Sequence, residues 1–86
     1  MMTSDQAAQW MEEQYLLFNH VLYQDYVASC LLHAESGQTY FDKSANLCVA
    51  KDALKQFRKR LPDIVYDRRE KCWRDRLESD QPGRQQ

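Results

Sequence analysis

The 86-residue sequence predicts a compact, mainly helical α+β domain carrying one small β-hairpin. Apolar residues recur at three- and four-residue intervals in four separate windows, which is the spacing of helices with one buried face. Two short β-branched or aromatic segments flank a five-residue polar turn in mid-chain, which predicts the hairpin. With only two glycines, two prolines and ten aromatic residues, the chain has the composition of a packed globule rather than a disordered segment. A chain of this length buries roughly 60–65% of its unfolded surface, enough for a few helices and a hairpin but not for a deep substrate cavity. One domain is expected over residues 1–78, followed by a disordered tail over 79–86.

The first helix, 4–18, opens at Thr3 or Ser4, where a hydroxyl accepts orphan amide hydrogens and Gln6 can close a capping box with Thr3. Ala7, Trp10, Met11, Tyr15, Leu17, Phe18 and Val21 follow as one apolar face interrupted by Gln14. Asn19 and His20 end it, because Asn tolerates the left-handed backbone of helix termini. A second helix runs over 24–34 with Val27, Cys30, Leu31 and Ala34 inward, and Gly37 is its stop. Thr39-Tyr40-Phe41 and Leu47-Cys48-Val49 form the hairpin around Asp42–Asn46, and so short a hairpin must pack on helices.

Helical spacing returns over 50–60, with Ala53, Leu54 and Phe57 inward, basic residues outward, and a basic last turn that suits the helix dipole. Pro62 breaks this helix and serves as the first residue of another over 63–77. The acid-before-base pairs Asp67–Lys71 and Glu70–Arg74, four residues apart, favour that helix. A competing reading makes Asp63–Tyr66 a strand that turns at Asp67–Glu70 and returns through Cys72–Arg74. Trp10, Leu31, Leu54 and Phe57 are expected to share one core, since only mutual packing buries their faces.

The succession Trp10-Met11, Leu22-Tyr23-Gln24, Tyr40-Phe41, Asn46, Leu47-Cys48-Val49, Ala53-Leu54, Phe57-Arg58, Ile64-Val65-Tyr66 and Trp73-Arg74-Asp75-Arg76 resembles a group of small uncharacterised bacterial proteins. These are domains of unknown function met in phage and mobile elements. The resemblance covers residues 4–77, with Ala45 where the pattern has Gly and Tyr66 where it has Trp. It implies no activity.

Enzymatic machinery has no visible signature. The two glycines exclude a Gly-rich phosphate loop. His20 and His33 are isolated, and no nucleophile, base and orienting acid are spaced as a set. No catalytic residues and no cofactor are assigned. Cys30 and His33 lie one helical turn apart, but Cys48, Cys72 and His20 complete no four-ligand spacing, so no metal is expected. An odd set of three scattered cysteines suits a reducing compartment. With no membrane-length apolar run and no secretory-type start, this leads to the expectation of a cytoplasmic protein.

Two binding readings remain. Net charge is −1, yet residues 1–50 carry one basic and six acidic side chains, and residues 51–86 carry eleven and seven. The helix–helix–hairpin–basic-helix order resembles a winged-helix arrangement in which Lys51, Lys55, Arg58, Lys59 and Arg60 face phosphates. Against DNA binding stand the near-neutral charge and a recognition helix whose only amide side chain is Gln56. The other reading is a non-enzymatic module that binds a protein partner, or itself as a homodimer. Tyr and Trp anchor protein interfaces, and Tyr23, Tyr26, Tyr66 and Trp73 are expected to stay partly exposed. The interaction module is the reading adopted.

Overall fold

The computed structural model describes residues 1–76, so the expected tail over 79–86 lies outside the described residues, as do residues 77 and 78 of the expected domain. Among the described residues the order is α1 (Ser4–Leu17), β1 (Val21–Tyr23), α2 (Gln24–His33), β2 (Thr39–Phe41), β3 (Leu47–Val49), α3 (Lys51–Arg60), β4 (Ile64–Asp67) and β5 (Cys72–Asp75). The chain is a small α+β fold with two antiparallel sheets, one of order β1-β5-β4 and the other the β2–β3 hairpin.

The capping box forms, with Gln6 N–H donating to Thr3 Oγ1 at 3.1 Å and Thr3 N–H to Gln6 Oε1 at 2.9 Å. At the other end of α1, His20 N–H donates to Tyr15 O at 2.8 Å while Asn19 sits at φ 59, the left-handed helix end expected of Asn. The apolar stripe is shorter than its spacing suggested. Ala7, Ala8, Met11 and Tyr15 are buried, but the helix stops at Leu17, and Leu17, Phe18 and Val21 face outward. α2 ends at His33, with Glu35 rather than Gly37 taking the first left-handed position and Ser36 N–H returning to Leu31 O.

Among the described residues the helix expected over 63–77 does not form; residues 64–75 are the β4–β5 hairpin, as the competing reading had it. Asp67 explains why. Its Oδ1 accepts the Arg69 and Glu70 amides at 2.9 and 3.2 Å, so the carboxylate folds the turn instead of pairing with Lys71 along a helix. Lys71 takes φ 54 and closes the loop. β5 then finds a second partner in β1, with Leu22 opposite Trp73, and Ile64, Val65, Cys72 and Trp73 are buried. The β2–β3 loop uses the same device: Asp42 Oδ1 accepts the Ser44 and Asn46 amides at 2.8 and 2.9 Å, and Ala45 takes φ 63. These amide bonds hold both carboxyls below their ordinary range.

One core joins the helices and both sheets. Leu31 and Phe57 are fully buried in it beside Met11, Leu22, Val27 and Val49, and Trp10 and Leu54 pack on it half-buried. Phe57 stands edge-on to both Tyr15 and Trp73, with ring centroids 6.3 and 5.6 Å away. α1 lies along α3, where the Arg60 guanidinium bridges Asp5 and Glu12, each at 3.1 Å.

Candidate functional site

The four aromatic residues expected at an interface separate into two groups. Trp73 is only 3% exposed: its place opposite Leu22 in the central strand and against Phe57 makes it a core residue, correcting the expectation of a partly exposed anchor. Tyr66 is half-buried, its ring 5.3 Å from that of Trp73 and its hydroxyl donating to Gln24 Oε1. It lines a depression of about 210 Å³ with Gln24, Tyr40, Cys48 and Arg58. Burial raises the Tyr66 phenol above its ordinary range.

Tyr23 and Tyr26 lie elsewhere, on an exposed apolar face. Phe18, Val21, Leu22, Tyr23 and Tyr26 line an open hollow of about 500 Å³ along β1. The Tyr26 ring meets Phe18 edge-on at 5.4 Å and stacks on Trp10 at 6.3 Å, and its hydroxyl donates to Gln14 at 3.1 Å. Trp10 and Gln14 of α1 thus hold Tyr26, and with it Phe18, at one wall of the hollow. The helical spacing assigned Phe18 and Val21 to the buried face, so their role was missed. The signal that could have found them is the absence of any Asp, Glu, Lys or Arg from Gln14 to Gln24, on both sides of a helix stop.

The expected basic face also divides. Lys51, Lys55, Arg58 and Lys59 are exposed on α3, but Arg60 turns back to Asp5 and Glu12 and acts as an internal brace. Of the two histidines, His33 is exposed at the end of α2, whereas His20 joins a polar cluster with Tyr15 and Asp75. Its Nδ1 lies 2.7 Å from Asp75 Oδ2, and Tyr15 donates to Asp75 Oδ1 at 2.5 Å. Those bonds, Tyr15 first, hold the Asp75 carboxyl below its ordinary range, and burial with the same bond raises the Tyr15 phenol. With both carboxylate oxygens engaged, the cluster ties the end of α1 to β5 and holds the turn that carries Phe18.

Cys30, Cys48 and Cys72 are free thiols, and burial pushes the Cys72 thiol up. Among the described residues no group of three or more His, Cys, Asp or Glu side chains is placed to hold a metal ion, and no helix is long and apolar enough to cross a membrane.

A family model described as a family of unknown function, DUF6953, matches residues 3–75, nearly the whole described chain. The chain belongs to the DUF6953 family. That match agrees with the sequence-based expectation of an uncharacterised family. The DUF6953 match spans α1 through β5, so the hollow, the basic face and the Tyr15–Asp75–His20 cluster all lie within the family's domain. No curated protein and no solved structure matches the chain.

Proposed function

We propose that this DUF6953 protein is a non-enzymatic interaction domain that docks an uncharged, apolar protein surface in the hollow beside β1. The observation that carries this reading is the hollow itself. Phe18, Val21, Tyr23 and Tyr26 are large apolar or amphipathic side chains left exposed together around a concavity, on a chain 29% of whose residues are charged. Tyr is suited to such a surface, because it offers a large rigid ring and a polar tip at small entropic cost. The Tyr15–Asp75–His20 cluster ties the end of α1 to β5 rather than offering a reactive group. Three free thiols fit the cytoplasmic setting proposed for the protein, and a small accessory module fits the phage and mobile-element setting that the sequence resemblance implies.

One observation favours a second reading, in which α3 acts as the basic helix of a winged-helix-like nucleic-acid binder: Lys51, Lys55, Arg58 and Lys59 are all exposed. It draws on four cations in a chain of net charge −1, with Arg60 already committed to Asp5 and Glu12. Phosphate binding rests on accumulated cations, so the protein-docking reading is preferred.

Replacing Tyr23 or Lys55 with a photo-crosslinking phenylalanine analogue in living cells separates the two. Protein docking predicts a protein adduct from position 23, lost when Phe18→Asp is added, and none from position 55. Nucleic acid captured at position 55, with no protein captured at position 23, contradicts it.

A further inference from the structure

We infer that the partner seated in the hollow is a second copy of this chain, joined through β1 by antiparallel pairing about a two-fold axis at Leu22; this rests on the reading of the hollow as a protein-docking site. β5 is flanked by β4 on one side and β1 on the other, which leaves β1 at the edge of the sheet. Two bonds just beyond the strands fix the phase of the ladders. Arg76 N–H donates to Asp63 O at 3.2 Å, and Gln24 N–H donates to Lys71 O at 2.9 Å. Antiparallel ladders alternate in steps of two, so Arg74 and Cys72 face β4, whereas Trp73 exchanges its bonds with Leu22. Leu22 therefore turns its amide and carbonyl toward β5, and Val21 and Tyr23 turn theirs away from it. Successive strand residues point to opposite faces of a sheet, so a hollow lined by Val21, Leu22 and Tyr23 together must run along the strand's free edge.

That edge fits its own copy. Pairing about Leu22 sets Val21 opposite the partner's Tyr23, so each Tyr23 N–H donates to the partner's Val21 carbonyl, while the Tyr23 carbonyl continues into α2. The β-branched and aromatic side chains then meet as two equivalent cross-strand pairs. Edge strands of natural proteins are blunted by shortness, lysine, proline or a bulge; β1 is only three residues long, but it carries no charged residue and no proline. Charge selects a second copy over a charged partner. A two-fold axis brings each group near its own duplicate, and the stretch from Gln14 to Gln24 has no Asp, Glu, Lys or Arg to repel itself.

The area fits a weak, reversible association. Leu17, Phe18, Val21, Tyr23 and Tyr26 are between 36% and 69% exposed. At about 200 Å² for a large side chain, they leave roughly 500 Å² of surface per copy to be covered. Two copies contribute roughly 1,000 Å² before any polar rim is added, which is the size of a weak, reversible interface.

Sedimentation of the purified full chain from about 1 to 500 µM tests this. The expected result is a reversible dimer of twice 10.3 kDa. The double variant Val21→Lys/Tyr23→Lys and its counterpart Val21→Glu/Tyr23→Glu should each stay monomeric at concentrations at least about tenfold above the wild-type midpoint, because like charges then face one another across the strands. Mixing the two should restore a dimer, since every lysine then meets a glutamate. Phe41→Lys, on the exposed β2–β3 hairpin, should dimerise as wild type does. The altered side chains are exposed; if a double variant nevertheless loses its far-ultraviolet spectrum, the single variant Tyr23→Lys takes its place and should weaken the dimer. A wild-type chain monomeric throughout, a dimer that persists in both double variants, a mixture that stays monomeric, or a dimer dissolved by Phe41→Lys overturns the inference. A monomeric chain that still gives the position-23 adduct in cells, with a protein of different mass, removes the self-pairing and leaves the docking site standing. Absence of any protein adduct removes both.

Discussion

The Tyr15 hydroxyl donates to the Asp75 carboxylate at 2.5 Å, joining the last buried turn of α1 to the end of β5. Tyr15→Phe keeps the ring packing on Phe57 and removes only this bond, so it should lower stability by about 1 kcal/mol. The pH dependence has a definite sign. Because Asp75 titrates below its ordinary value in the folded chain, its contribution is complete above the unfolded carboxylate value of about 3.9. It is lost as the pH falls through the lower folded value. Urea midpoints at pH 7 and pH 3 should therefore differ less for Tyr15→Phe than for wild type.

Arg60 holds Asp5 and Glu12 of α1 from the last turn of α3. Arg60→Ala should lower the melting temperature at low salt, and added salt should narrow the gap, because these partly exposed pairs are screened. Lys55→Ala, which removes an exposed charge from the same helix, should leave the melting temperature in place. Thermal unfolding at two ionic strengths reads both.

Ala45 sits at φ 63, a left-handed conformation that a Cβ disfavours. Ala45→Gly should stabilise the chain by about 1 kcal/mol, which for a domain of this size is roughly 4–8 °C in melting temperature. Asp42→Ala, which frees the Ser44 and Asn46 amides of the same turn, should move it the other way.

Phe57 is fully buried and meets Tyr15 and Trp73 edge-on. Phe57→Ala should cost about 3–5 kcal/mol, a large part of a small domain's stability. Calorimetry should show the transition shifted sharply down or lost.

The elements that the sequence revealed are those whose signals are local. Thr3 and Gln6 cap one another three residues apart, Asn19 ends a helix by its own conformational tolerance, and Thr39–Phe41 and Leu47–Val49 bracket a single turn. The segment 63–77 misled because Asp67 and Glu70, each four residues ahead of a base, suit a helix and a turn equally well. What decides is β1, a short strand far upstream in the chain, which pairs with β5 and buries Trp73. The hollow was hidden for a related reason. Helical spacing carried Phe18 and Val21 inward past a helix that in fact stops at Leu17.

The backbone amides of Val21 and Tyr23 offer the most direct test of β1 as a protein-binding edge. Their hydrogen exchange, followed residue by residue in the purified chain as concentration rises, should slow as the edge is paired, Tyr23 above all, while the exposed Ser44–Ala45 turn exchanges at an unchanged rate. Exchange at Tyr23 that stays fast at every concentration, even when sedimentation shows a dimer, contradicts pairing through β1.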